Sequence, residues 1–438
     1  MKKLLSILTF SFVLLFIANT TVYGQFDKFI KKKSKDAKNA AVNSVLGVEE
    51  DENNNQQQQN QNSNNGNFEK GQKLTPPDIN ELITSAQSAY AQEQYSNARF
   101  DIKEALKGVE LEIGYEILAQ MPESAHQLSS NPENDGVVST GVGFVGLMVS
   151  RYYEGSNKQI AATVGNNAMM SGMYGMMMNS GYTTRGTQAK NITIQGYRGN
   201  LSFDEQSTYT LVVPFAQSSV LVLACSGFAN EDEVRQAAEE FNIKAYEELL
   251  IDDESDRRTD LTGDVYLKTA SSKYSEKDIE GCRFELQNAL IDVDVKIGKM
   301  VLDMLPDELA GLKVVEGQDE HVATTAGFAG VYVTRTYASP DNSKVIELSL
   351  MDDSPMMAMV SSFLSNPLLS GMSGQKSIKI DGYKGMYQVE EGSTPSATDI
   401  NIPNNQSLFS MHFVNFSERE VNDAANQVPV GKIFDVTR

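Results

Sequence analysis

Within residues 76–250 the apolar positions change their period part-way along. Ala86, Ala89, Tyr90, Tyr95, Ala98, Ile102 and Ala105-Leu106 recur at the spacing of one helix face, interrupted at Gln92 to Gln94. Two short helices turning at that interruption are predicted, with small residues packed against aromatics. Downstream the period falls to two. Val145, Leu147 and Val149, then Ile192 and Ile194, then Leu211 and Val213 alternate with their neighbours, and Val220 to Cys225 is a more apolar run, so strands are predicted. Gly196-Tyr197-Arg198-Gly199 lies between two of these runs, where glycine permits a tight turn. A helix from about Glu231 closes the unit. The predicted order is helices, two strands, a short helix, three or four strands and a last helix. That order describes an α+β unit, an antiparallel sheet with helices packed on it.

The pattern is written twice. Arg99-Phe100, Ala105-Leu106, Ile113-Gly114, Leu118, Pro122 and Leu128 recur 184 residues later as Arg283-Phe284, Ala289-Leu290, Ile297-Gly298, Leu302, Pro306 and Leu312. Gly143-Phe144, Gly146, Val149, Arg151 and Tyr153 return at the same offset as Gly327-Phe328, Gly330, Val333, Arg335 and Tyr337. Further on the offset drifts by a few residues, as loops of changed length require. Lys190 to Gly199 then matches Lys376 to Gly385, and Val234 with Ala237-Ala238 matches Val421 with Ala424-Ala425. The chain therefore divides into repeat 1 (76–250), an acidic linker (251–263) and repeat 2 (264–438), each repeat of ordinary domain size. The second copy keeps the helical pattern as Ala270, Tyr274, Ile279, Cys282, Leu286 and Ala289-Leu290. Over about 25 residues per repeat this resembles a single tetratricopeptide-type hairpin, without that family's closing proline. The resemblance implies a helical packing element and, secondarily, a peptide-binding surface; a solenoid would need about three stacked repeats.

The first 75 residues have a different character. Lys2 and Lys3 precede an apolar run from Leu4 to Ala18, followed by a polar stretch and Gly24. This is the layout of a secretory signal peptide over 1–24. At about 15 residues the run is shorter than the roughly 20 of a spanning helix, which sets export ahead of an uncleaved anchor. The mature chain is expected to begin at Gln25, to be periplasmic or secreted, and to hold no transmembrane segment. Residues 25–48 form a basic amphipathic segment, with Lys28, Lys31, Lys32, Lys33, Lys35 and Lys38 beside Phe26 and Ile30. Through residues 26–46 it suits an envelope protein or a membrane surface as partner, or stays a solvated arm. Residues 49–75, acidic and then nearly pure Asn and Gln, are expected to be a disordered spacer.

Charge and candidate chemistry narrow the picture further. The formal charge of -21, or -23 once Lys2 and Lys3 are removed, repels phosphate backbones and argues against nucleic acid. Two cysteines, Cys225 and Cys282, are too few for a disulfide-built scaffold and are read as buried thiols. The run Met169, Met170, Met173, Met176, Met177 and Met178 could ligate Cu(I), but in repeat 2 Val360, Phe363 and Leu364 face three of these positions, which points to packing. Gly141, Gly143 and Gly146 have dinucleotide-binding spacing but lead into a strand, not a helix. His126, His321 and His412 have no histidine counterparts in the other copy, so a shared histidine site is excluded. No catalytic residue, metal or cofactor is assigned. Arg151 and Arg335, with Tyr153 and Tyr337 two residues on, are the candidate ligand-binding residues, as polar side chains that both copies keep on a strand. Their alternative role is pairing with a carboxylate at the sheet margin. Tyr197 and Tyr383 on the turns are further candidates. The expected function is an exported, non-enzymatic binding or scaffold protein of the bacterial cell envelope with two homologous domains. The alternative is an envelope hydrolase or small-ligand-handling enzyme with dispersed site residues.

Overall fold

The computed structural model describes residues 70–140, 146–166, 188–203, 208–216, 218–250, 261–323, 330–352, 376–389 and 396–437. The signal peptide, the basic segment, most of the spacer and linker, the Met169–Met178 run, Gly141 and Gly143, and the predicted short helix lie outside these residues.

Repeat 1 opens with α1 (Ile79–Ala91) and α2 (Tyr95–Gln120), which turn at Gln92 to Gln94 as the periodicity predicts. Asp78 caps α1 by accepting from the Glu81 amide, and Ile79, Ile83, Ala86 and Ala89 form the buried face. Strands β1 (Ser124–Ala125), β2 (Leu128–Ser130), β3 (Gly136–Ser139), β4 (Leu147–Gly155) and β5 (Lys158–Asn166) follow. Then come β6 (Gln188–Ile194), β7 (Tyr197–Phe203), β8 (Thr208–Phe215) and β9 (Ser219–Ser226), and two closing helices, α3 (Glu231–Ala238) and α4 (Ile243–Leu250). Repeat 2 reproduces this as α5 (Gly263–Ser275), α6 (Ile279–Met304), β10 (Glu308–Leu309), β11 (Leu312–Val314), β12 (Glu320–Ala323), β13 (Val331–Ala338) and β14 (Val345–Asp352). It continues through β15 (Lys376–Ile380), β16 (Tyr383–Val389), β17 (Ala397–Asn404), β18 (Ser407–Val414), α7 (Glu418–Ala425) and α8 (Val430–Val436).

Each repeat thus folds as the predicted α+β unit around one antiparallel nine-stranded sheet. The orders are β1-β2-β4-β5-β9-β8-β7-β6 and β10-β11-β13-β14-β18-β17-β16-β15, with β3 on β4 and β12 on β13. Several details differ from the sequence reading: α2 and α6 run for 26 residues where short helices are predicted, and the short strands β1 to β3 and β10 to β12 precede the two predicted ones. Each repeat ends in two short helices, not one, because the polar break after Ala238 and Ala425 is followed by a second apolar stretch that also finds the core. The turn glycines also sit differently. Gln195-Gly196 and Asp381-Gly382 alone form the hairpin loops, all four at positive φ, while Tyr197 and Tyr383 already open strands β7 and β16. Two-residue loops of this hand match the right-handed strand twist.

The repeated Ile-Gly pair has a packing cause. A Cβ at Gly114 would come within 2.7 Å of Leu147 and Val137, and one at Gly298 within 3.2 Å of His321. Glycine lets each 26-residue helix lie directly on its own sheet. The opposite sides of these helices meet across the repeats: α2 packs on α6, and α1 on α5. One hydrophobic core therefore runs through both repeats, and the hairpins pair with each other and do not stack as a solenoid. No described helix is long and apolar enough to cross a membrane.

Candidate functional site

The duplicated Arg-x-Tyr motif clamps the end of each long helix. Arg151 donates from Nε and Nη2 to Asp135 at 3.2 and 2.9 Å and from Nη1 to the Met121 carbonyl at 2.9 Å. Arg335 repeats this with Asp319, at 3.1 Å from Nε and 2.6 Å from Nη2, and with the Leu305 carbonyl at 2.9 Å. Tyr153 Oη and Tyr337 Oη donate to the carbonyls of Pro122 and Pro306 at 2.8 and 2.7 Å. A cation and a hydroxyl thus satisfy carbonyls where a helix leaves its last ones unpaired and its dipole is negative. Burial works against the Arg151 cation, but Asp135 more than offsets it and holds the guanidinium above its usual value; Asp319 does the same for Arg335. Tyr197 donates to Glu247 on α4 at 2.6 Å, and the Tyr383 ring packs edge-on against Phe434 of α8 at 4.9 Å between centroids. Burial, then Glu247, pushes the Tyr197 phenol up to about 12. The structure brings Arg151 and Tyr153 to one helix end and Arg335 and Tyr337 to the other. Each turn tyrosine stands beside the terminal helix of its own repeat.

A second polar cluster lies in the joint between the repeats. Arg99 of α2 reaches across to repeat 2, where Nη1 and Nη2 both stand 2.7 Å from Asp352 Oδ2, Nη1 is 3.4 Å from Asp294 Oδ1, and Nη2 donates to the Thr437 carbonyl at 2.9 Å. Ser407 donates to the other oxygen of Asp352 at 2.5 Å. Arg99, Asp294, Asp352, Ser407 and Thr437 are all buried. Around this cluster Tyr90 donates to Asp292 at 2.6 Å and Tyr274 to Glu112 at 2.8 Å, so the matching tyrosine of each hairpin grips a carboxylate of the opposite repeat. Ser96 and Gln87 add bonds to the carbonyls of Val436 and Leu267.

No known protein-family model, curated protein or solved structure matches this chain. The chemistry must therefore be read from the two repeats against each other.

That comparison singles out the sheet face turned away from α2 and α6. In repeat 1 the centre of this far face carries no charged side chain; Val138, Val212, Val220, Val222 and Ala224 are buried there beside Thr163 and Thr210. In repeat 2 a polar row crosses it. Strand register places Glu347 (β14) beside His412 (β18), and His412 beside Asp399 (β17). The matching register positions of repeat 1 hold Ala161, Ala224 and Thr210. Asp399 Oδ1 lies 2.8 Å from His412 Nδ1, and Asp399 is only 7% exposed. Its Oδ2 is buried without a hydrogen-bond partner. Burial, with Asp399 and Glu320 adding to it and His412 opposing, raises the Glu347 carboxyl above its usual range. Burial and the same acids, Glu347 and Glu320, push the Tyr332 phenol of β13 up to about 12. Composition and motif spacing carried no trace of this row, because its members are 65 residues apart in the chain (Glu347 to His412). The signal that could have found it was strand-by-strand alignment of the two copies, which sets Glu, His and Asp against Ala, Ala and Thr.

Proposed function

We propose that this chain is an exported, non-enzymatic binding or scaffold protein of the bacterial cell envelope. Its two homologous domains are carried on the spacer 49–75 and anchored through the basic segment 26–46, and the mature protein is periplasmic or secreted. The observation that carries this reading is the joint. Buried Arg99 with its two aspartates, the reciprocal tyrosine–carboxylate bonds and the shared core hold both sheets at one fixed separation. A rigid pair suits bivalent attachment, in which the second contact adds avidity only when the geometry allows both at once. In-cell crosslinking with mass spectrometry on the tagged chain, with and without residues 26–72, tests the proposal. A defined partner of the full chain that disappears with the deletion is the expected result; the same partners in both forms would remove the anchoring role.

The Asp399–His412 contact favours a second reading, a hydrolase or small-ligand-handling enzyme, since a carboxylate holding one imidazole nitrogen is how a histidine base is oriented. Turnover of an ester and peptide panel that disappears in His412→Ala supports it. Equal turnover by both proteins, or none by either, sets it aside.

A further inference from the structure

On the far face of repeat 2, strands β12, β13, β14, β17 and β18 carry carboxylates but neither lysine nor arginine at their described positions. Glu320 (β12), Glu347 (β14) and Asp399 (β17) share this face with His412, Tyr332, Thr334, Ser349, Ser410 and Asn401. By register, none of the described positions on this face of β12, β13, β14, β18 and β17 is lysine or arginine. Of the neighbouring cations, Arg335 faces the helices and holds Asp319, Lys344 pairs with Glu420, and Lys376 pairs with Glu418. Lys379 and Lys384 lie opposite each other on this side of the sheet, but out at the β15–β16 edge, away from Asp399 and Glu347. The segments joining these strands, 324–329, 353–375 and 390–395, contain no Lys, Arg or His, and 390–395 adds two glutamates. Among the described residues of these five strands, only His412 can set positive charge against the row on this face.

Repeat 1 shows that the fold does not require these acids, because it builds the same sheet with alanine, alanine and threonine in the row. Placing a carboxylate nine-tenths out of water with one oxygen unpartnered is costly unless something else supplies the missing donor. Among the described residues no three His, Cys, Asp or Glu side chains converge on a single ion-sized point. The acids are instead spread over neighbouring strands, which stand about 5 Å apart. Such a spread suits a group with several N–H donors pointing in different directions.

We propose that this row is a binding site for an organic cation, a primary ammonium or guanidinium group, which donates to Asp399 Oδ2 and to Glu347 and lies against His412. The proposal deepens the binding reading by naming the chemistry recognised, and it does not depend on where the protein is exported.

The test uses the full mature chain with isotope-labelled histidine, whose three imidazoles report separately by NMR. Agmatine, propylammonium and the capped peptides acetyl-Ala-Lys-Ala-amide and acetyl-Ala-Arg-Ala-amide are titrated at neutral pH, with zinc and calcium as controls. A saturable shift of His412 that leaves His126 and His321 unmoved is expected. Its affinity should fall by about tenfold in Asp399→Asn and in Glu347→Gln, the loss of one charge-assisted bond. Binding by the free amines would identify a small-molecule ligand, and binding by the peptides alone a side chain of a protein partner. Saturation by zinc or calcium alone, or no saturation by any cation, would overturn the proposal. So would unchanged affinity in both variants. Crosslinked partners in cells together with no amine binding would leave the scaffold reading standing while removing this site.

Discussion

Arg151 and Arg335 make the same bonds in the two repeats, but their carboxylate partners meet different surroundings. Asp135 has 2% of its side chain exposed, whereas Asp319 has 29%. Removing the arginine strands a buried charge in the first case and a hydrated one in the second. Arg151→Met should therefore cost about 3–5 kcal/mol and Arg335→Met distinctly less, read from urea midpoints at constant m-value. Equal losses would show that the helix-end carbonyls, not the aspartates, dominate. Glu347 gives a prediction with a pH signature. Its folded-state pKa is raised, so the folded protein holds the proton more tightly than the unfolded chain. Its contribution is fully present below the unfolded value and is lost as pH rises through the folded one. Glu347→Gln should thus stabilise the protein at neutral pH, and the gain should vanish towards pH ~4. A gain that persisted in acid would refute the burial argument. At this scale the sequence marked Arg151, Tyr153, Arg335 and Tyr337 as shared and left ligand or ion pair open. Only folding brings the aspartates 16 residues away onto the guanidiniums.

Elements were legible where one face is apolar and hidden where burial has two causes. The hairpin turn at Gln92 to Gln94 could be read directly. The full 26-residue length of α2 and α6 was not, because residues pointing to the sheet and to the opposite repeat blur a single stripe into an apolar surround. The first closing helix of each repeat combines a buried apolar face with a side-chain cap. Ser417 and Glu420 form a reciprocal capping box on α7, and Glu420 also ties it to Lys344. The corresponding helix of repeat 1 has Asn230 as cap, with Lys158 bound to Glu233. Ser417→Ala should cost about 1 kcal/mol, while Ser417→Asp should be nearly neutral, a contrast that thermal melts would resolve. Lys344 and then Ser417 hold the Glu420 carboxyl at about 2, so this latch is intact at neutral pH and is released only as pH falls towards that value.

For the whole molecule, the decisive feature is that two sequence repeats make one core. Arg99 and its aspartates sit at the joint, and breaking a buried pair from one side leaves an uncompensated charge. Differential scanning calorimetry should show one cooperative transition for the wild type. Arg99→Met should lower its midpoint sharply, while Arg99→Met with Asp352→Asn should recover part of the loss by removing the stranded charge. Two separate transitions in the wild type would mean that the joint contributes little to either repeat.

Sequence alone determined the duplication, the α+β class and the helix-then-strand order, because these follow from local periodicity and from self-comparison along the chain. It also placed the hairpin turns to within a residue or two, since glycine at positive φ is a local demand. The tertiary structure decided how the repeats join and which of the polar residues shared by the two repeats cap helix ends. It also decided that only repeat 2 gathers Glu347, His412 and Asp399 into one row. Each of these depends on strand register and on contacts between residues far apart in the chain, which no local pattern encodes.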